Sequence, residues 1–207
     1  MAFQGWPAEG IAFYRGLEAD NSKTYWQANK HVYERSVAGP MRDLLDELEE
    51  EFGEAKIYRP YRDVRFSKDK SPYKTACSAP LWGGGYVQYS ANGLGVGAGY
   101  YLLDPPQLDA FRSAILDDAT GTTLESIVHD VRAAGAAVRS HDTLKSAPRG
   151  VAKDHPRIEL LRHKGLVCWW EFEAGPWLST PAAKDRVVES LRLGQPLLDW
   201  LDDNVGR

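Results

Sequence analysis

No apolar run in this chain approaches the length of a membrane span, so a helical membrane anchor is not expected. The opening residues, MAFQGWPAEG, lack a basic stretch followed by an apolar one, so a secretory signal is not expected either. There are only two cysteines, Cys77 and Cys168, both in strand-like sequence. Two such thiols make no disulfide framework and read as small buried hydrophobes in a protein of the reducing cytoplasm. The five histidines fall into no HExxH pattern and no CxxC pair is present, so neither a metal nor a cofactor is expected. A Walker loop, a dinucleotide fingerprint at a strand-to-helix turn and a nucleophile elbow are all missing.

What is present is enough to bury a core: 43% of the 207 residues are hydrophobic and 11% aromatic, against a disordered chain. The net charge of −4 disfavours nucleic acid and anionic membranes as partners of the whole surface. The charge is unevenly placed. Between Lys56 and Lys74 stand seven basic residues (Lys56, Arg59, Arg62, Arg65, Lys68, Lys70, Lys74) opposed only by Asp63 and Asp69. That window carries +5 and the rest of the chain −9. A positive focus on an acidic protein suits a specific anion site better than a general polyanion surface.

Periodicity gives the organisation. Gly10–Leu17 reads as a short helix, and Asp20, Asn21 and Ser22 offer N-caps for a longer one beginning near Lys23, with a stripe of Trp26, Val32, Tyr33 and Val37. Gly39-Pro40 predicts a kink or restart. Met41, Leu44, Leu45, Leu48 and Phe52 then follow helical spacing up to a stop at Gly53. Alternation predicts strands over Tyr61–Ser67 and Thr75–Trp82, and a hairpin of Tyr86–Ser90 with Leu94–Leu103 about Ala91-Asn92-Gly93. The strip Gly93, Gly95, Gly97 and Gly99 invites close approach, by a packed ring or helix sooner than by a ligand. Two helices follow Asp104-Pro105-Pro106, using Leu108, Phe111, Ile115 and Leu116, then Leu124, Ile127, Val128 and Val131. After a polar loop over Ser140–Pro156, strands are predicted at Arg157–His163 and Leu166–Glu173; on the latter, Trp169 and Trp170 face opposite ways, one into the core. A final helix begins after Ser179-Thr180-Pro181, with Leu191, Leu198 and Leu201 inward and a kink or split at Pro196. The expectation is one α+β domain over residues 1–207, a largely antiparallel sheet packed against N-terminal, central and C-terminal helices. Its parts are a helical region to residue 55, a sheet with two inserted helices over 56–178, and a C-terminal helix over 179–207.

The segment RPYRDVRFSKDKSPYK, Arg59 to Lys74, carries the most concentrated chemistry. Arginine forks bind phosphate or carboxylate bidentately, and here they stand at 59, 62 and 65. On a strand Arg65 shares a face with Asp63, while Arg62 shares one with Val64 and Phe66 and so reads as a half-buried arginine with a carboxylate partner. Lys68, Lys70 and Lys74 add ammonium groups, and Tyr73 adds a ring and a phenol. Asp63 is a candidate base or, better, the group that orients an arginine. In Asp154-His155-Pro156 a histidine stands beside a carboxylate, making His155 a candidate general acid or base. Against that, the same tripeptide makes an ordinary turn.

The same segment resembles the signature of a mostly bacterial family catalogued as domain of unknown function 2461, R-x-x-R-D-x-R-F-x-x-x-K-x-P-Y-x-x-H. Arg59, Arg62, Asp63, Arg65, Phe66, Lys70, Pro72 and Tyr73 match it, and Ala76 stands where the pattern has histidine. The stretch Leu144–Leu161 and the helix around Tyr25-Trp26 are similar to the family too. The resemblance implies no particular activity, and Ala76 argues against a mechanism resting on a histidine there.

Two functional readings follow. One is an enzyme on a small phosphorylated or nucleotide-like substrate; the other is a non-catalytic module for a phosphorylated ligand, protein or nucleic acid. A third reading makes the arginines structural, tied to carboxylates. A small anionic ligand is the expected partner, nucleic acid is disfavoured, and no membrane is involved.

Overall fold

The computed structural model describes residues 2–206. It is α+β, as the sequence predicts. Helix α1 (Ala8–Ala19) is followed by α2 (Lys23–Tyr33), capped by the Ser22 hydroxyl accepting from the Tyr25 N–H at 3.1 Å. Residues 34–38 form one π turn that leads into α3 (Gly39–Phe52). Pro40 is the cause: it has no N–H for the Ser36 carbonyl, so the ladder widens rather than kinks. The Ser36 carbonyl instead lies against α1, where a side chain at Gly10 would meet it at 2.6 Å. Met41, Leu44, Leu45, Leu48 and Phe52 are all buried, as their spacing requires.

The strands β1 (Ala76–Pro80), β2 (Gly85–Ser90), β3 (Gly93–Tyr100), β4 (Ala137–Arg139) and β5 (Leu166–Glu173) form an antiparallel sheet in the order β1-β2-β3-β5-β4. Between β3 and β4 lie α4 (Pro105–Leu116), opened by a capping box of Asp104 and Gln107, and α5 (Asp118–Ala133). The glycine strip of β3 serves packing. A side chain at Gly97 would meet the Trp169 ring at 2.8 Å, and Gly99 (φ +133°) lies against the Leu166 carbonyl. Trp170 is the inward partner of the pair, and its indole N–H donates to the Ala134 carbonyl at 3.0 Å.

Two expectations are corrected. Arg157–His163 is not a strand: α6 (Ile158–Leu161) is a single helical turn, and the buried residues Arg157, Leu160 and Leu161 are spaced i, i+3, i+4. Of the kink or split expected at Pro196, the split is not formed, since α7 runs from Ala182 to Asn204 with Pro196 inside it. Leu191, Leu198 and Leu201 are buried on it.

The chain forms two compact units. The first comprises residues 1–96 and 171–189, the second 97–170 and 190–207. The helices α1–α3, strands β1 and β2, and the whole basic segment belong to the first. The helices α4–α6 and strand β4 belong to the second.

Candidate functional site

The basic segment forms an arm of the first unit. After α3 stops at Gly53 (φ +81°), an outgoing leg over residues 54–62 runs antiparallel to a return leg over 72–82. Near the foot, the Tyr58 N–H donates to the Ser78 carbonyl (2.9 Å) and the Trp82 N–H to the Glu54 carbonyl (2.8 Å). Further out, the Lys74 N–H donates to Pro60 (2.8 Å) and the Arg62 N–H to Pro72 (2.9 Å). Between these stretches the outgoing leg takes two steps, Tyr58 to Pro60, while the return leg takes four, Lys74 to Ser78. The return leg therefore bulges through residues 75–77, and Ala76 lies in that bulge.

The predicted strand over Tyr61–Ser67 is not formed; only an isolated bridge, Tyr61 to Tyr73, remains. Pro60 and Pro72 explain this. Each accepts one ladder bond but has no N–H to return the second, so pairing stops. Beyond the bridge the chain has no partner strand, and Phe66, expected on a half-buried face, is 96% exposed.

Tyr73 fixes the arm's base. It is buried, its ring stacked on Trp26 with centroids 4.5 Å apart and planes 10° from parallel. Such a pair adds about 0.5–1.5 kcal/mol beyond its burial. Asn21, one of three candidate caps of α2, has another task. Its amide accepts from the Tyr73 N–H (3.1 Å) and donates to the Tyr73 carbonyl (3.0 Å), replacing a missing strand neighbour. The site residue predicted for ring stacking with a ligand is thus placed in the core. The half-exposed rings Tyr58 and Tyr61, to which no local pattern in the sequence points, stand at the surface of the arm.

Beyond the base the tip is tied by its own charges. Arg62 pairs with Asp69, and Arg65 makes a forked pair with Asp63 (2.7 and 3.0 Å), whose carboxylate also accepts the Arg65 N–H at 3.2 Å. The Asp69 carboxylate accepts the Ser71 N–H (2.9 Å), and Lys70 donates to the Val64 carbonyl (3.0 Å). The guanidinium on Asp63 holds its carboxyl below the ordinary range, and Arg62, then Ser71, do the same for Asp69. A carboxylate so held is a poor proton acceptor, in keeping with the orienting role read for Asp63.

These two pairs cancel two cations against two anions. The window's +5 therefore rests on Lys56, Arg59, Lys68, Lys70 and Lys74, none of which has a carboxylate partner among the described residues. Two of the five interact with each other. Partial burial, and then the Arg59 charge, lower the affinity of Lys74 for its proton. The Lys74 ammonium stands 4.8 Å from the centre of the Tyr58 ring. The Arg59 charge also reaches Asp63.

In the second unit, the His155 ring Nδ1 accepts the Arg157 N–H at 3.1 Å and so caps the turn that leads into α6. Arg157 is buried, while Arg62 is the half-buried arginine with a carboxylate partner that its position suggested, 30% exposed and paired with Asp69. The Arg157 guanidinium donates to Glu125 (2.9 Å), Thr122 (2.9 Å), Asp118 (3.3 Å) and the carbonyls of Ile115 (3.3 Å) and Asp117 (3.4 Å). It satisfies carbonyls that the end of α4 leaves open, and Gly121 leaves room for it. The only signal in the sequence was helical spacing with Leu160 and Leu161. Among the described residues no group of three metal-ligating side chains comes together, and no helix is long and apolar enough to cross a membrane.

The molecule is thus an α+β protein with a cation-rich, self-tied arm. The profile of the family described as conserved hypothetical protein (DUF2461) matches residues 9–200, and the chain belongs to that family. No curated protein and no solved structure matches it.

Proposed function

We propose that the protein binds a phosphate- or carboxylate-bearing ligand at the base of the arm, with Arg59 and Lys74 as the anchoring cations. The observation that carries this reading is the ladder bond from the Lys74 N–H to the Pro60 carbonyl (2.8 Å), which sets Lys74 beside Arg59, neither cation being ion-paired with a carboxylate among the described residues. Like charges held together disfavour each other, and an anion bridging them relieves that cost. Arg59 brings a planar fork and Lys74 a point charge braced by Tyr58. Lys68 and Lys70 extend the field along the tip, while Arg62 and Arg65 are committed to Asp69 and Asp63 and serve to shape it. Tyr73 supports the site from beneath. Catalysis on a small phosphorylated or nucleotide-like substrate is one use of such a site. Non-catalytic binding is the other, and the exposure of Phe66 and Tyr61 favours it, because an open face neither excludes water nor encloses a reacting group. The two buried free thiols, Cys77 pushed up to about 11 and Cys168 to about 12 by burial, suit the cytoplasm proposed as its compartment.

Thermal unfolding with added phosphate, pyrophosphate or citrate at constant ionic strength tests the site. An anion at a hundred times its Kd raises stability by roughly 2.7 kcal/mol. That gain should vanish in Arg59→Ala and Lys74→Ala and persist in Arg62→Ala. A wild-type protein indifferent to every anion has no such site.

A further inference from the structure

The arm carries more than charge. Tyr58 (46% exposed), Tyr61 (48%), Phe66 (96%) and Trp82 (68%) are four of the five large aromatic side chains most open to solvent among the described residues. All four lie on the arm or at its foot, interleaved with the unpaired cations. By the ladder register Trp82 stands level with residue 54, followed outward by Tyr58, then Tyr61, then Phe66 at the tip. Aromatic surface therefore recurs every three to five residues along the arm. Two of these rings are braced from one side by a cation: Lys74 over Tyr58 at 4.8 Å and Arg65 over Phe66 at 5.9 Å. At 96% exposure Phe66 has no packing role in the fold.

We infer that the arm is a platform for single-stranded nucleic acid, its cations tracking the phosphates and its open rings stacking unpaired bases. This inference rests on the anion site proposed above and names its ligand. A small phosphate would use Arg59 and Lys74 and leave Phe66 and Lys68 without a purpose. An acidic peptide would use the cations but offer the rings no flat partner. A duplex keeps its bases stacked on one another, out of reach of side chains that do not enter a groove. Single strands present both a repeating charge and exposed π faces, which is the chemistry that rings set among cations recognise. The −9 carried by the rest of the chain does not forbid this, because charges beyond about 8 Å are largely screened at physiological salt. It lowers affinity for polyanions in general and confines binding to the arm.

Fluorescence anisotropy of the full chain with a labelled oligothymidylate of roughly a dozen nucleotides tests the inference. The expected result is binding whose observed constant falls with salt at a log–log slope of about −2 to −3.5, for three to five phosphates contacted. Phe66→Ala should weaken it by roughly five- to a hundredfold at unchanged Tm, and Phe66→Trp should restore it. Equal affinity in Phe66→Ala would overturn the inference. So would equal competition, at matched charge, from inorganic polyphosphate, from a duplex or from polyglutamate, the last pointing to an acidic protein partner. Stabilisation by phosphate without oligonucleotide binding leaves the small-anion site standing and removes the nucleic acid. Absence of both removes the two together.

Discussion

Arg62 and Arg65 on the arm and Arg157 in the second unit are chemically the same residue in opposite circumstances. The arm arginines pair with carboxylates seven and two positions away; Arg65, Asp63 and Asp69 are exposed and Arg62 is half-buried. Their pairs form wherever the segment is, since their partners travel with them. Arg157 reaches Glu125, Thr122, Asp118 and the carbonyls of Ile115 and Asp117, groups 32 to 42 positions away. Those groups converge only once α4, α5 and α6 are packed. The difference separates charge that shapes a surface loop from charge that closes a core. It also shows why a cluster of arginines in sequence marks exposure, whereas a solitary arginine among leucines marks burial.

The sharpest way to break this contrast is to remove Arg157. Arg157→Ala leaves the Ile115 carbonyl and the Glu125 carboxylate without their arginine donor, and Tm should fall by on the order of 5–10 °C. Arg157→Lys should rescue little of this, because one ammonium cannot replace a fork serving five acceptors. A thermal melt of both variants decides it; a full rescue by lysine would mean that charge alone matters there.

Next in size is Asn21→Ala, which strips both hydrogen bonds from the Tyr73 backbone at a cost of about 1–2 kcal/mol. Denaturant unfolding reads that loss. Limited proteolysis should show faster nicking within residues 62–72, because the base no longer holds the arm.

Smaller still are Arg62→Ala and Arg65→Ala. Exposed pairs of this kind contribute little to global stability, so Tm should move by less than about 2 °C while nicking at the tip accelerates. A large fall in Tm for either would move that arginine into the class of Arg157.

The least effect comes from pH. Asp63 and Asp69 have folded-state values held below the ordinary 3.8, so whatever order they lend is fully present above that value. It is lost as pH falls through the lowered folded values. NMR amide signals of residues 62–72 should therefore broaden or shift on acidification below about pH 4. Changes already complete at or above the ordinary carboxylate range would show that the carboxylates do not tie the tip.

Much of the fold was legible because it depends on local periodicity. The stripe of α3, the Asp104-Pro105 start of α4 and the β2–β3 hairpin all follow from spacing and turn chemistry that neighbouring residues carry themselves. The family likewise was legible, and the match over residues 9–200 bears that out. The alternation at Tyr61–Ser67 misled because alternation says only which faces a strand would have, not whether a neighbour exists to pair with it. Pro60, beside that segment, and Pro72, on the leg opposite, deny the second hydrogen bond that a strand there would need. At Arg157–His163 the short apolar run suited strand or helix alike, and packing of Arg157 with Leu160 and Leu161 chose helix.

For the arm itself, sequence alone determined the charge and the presence of aromatic residues among the cations. It also contained the pairs Asp63–Arg65 and Arg62–Asp69, since their separations are short. Tertiary structure decided which cations stay unpaired and which ring of the segment is core. Tyr73 is buried because Trp26 and Asn21, more than 40 positions earlier, meet it. Arg59 and Lys74 are neighbours because the two legs of the arm run antiparallel, with Pro60 and Lys74 paired in the ladder. Both facts require loop closure over long separations, and no local pattern encodes which distant groups will be brought together.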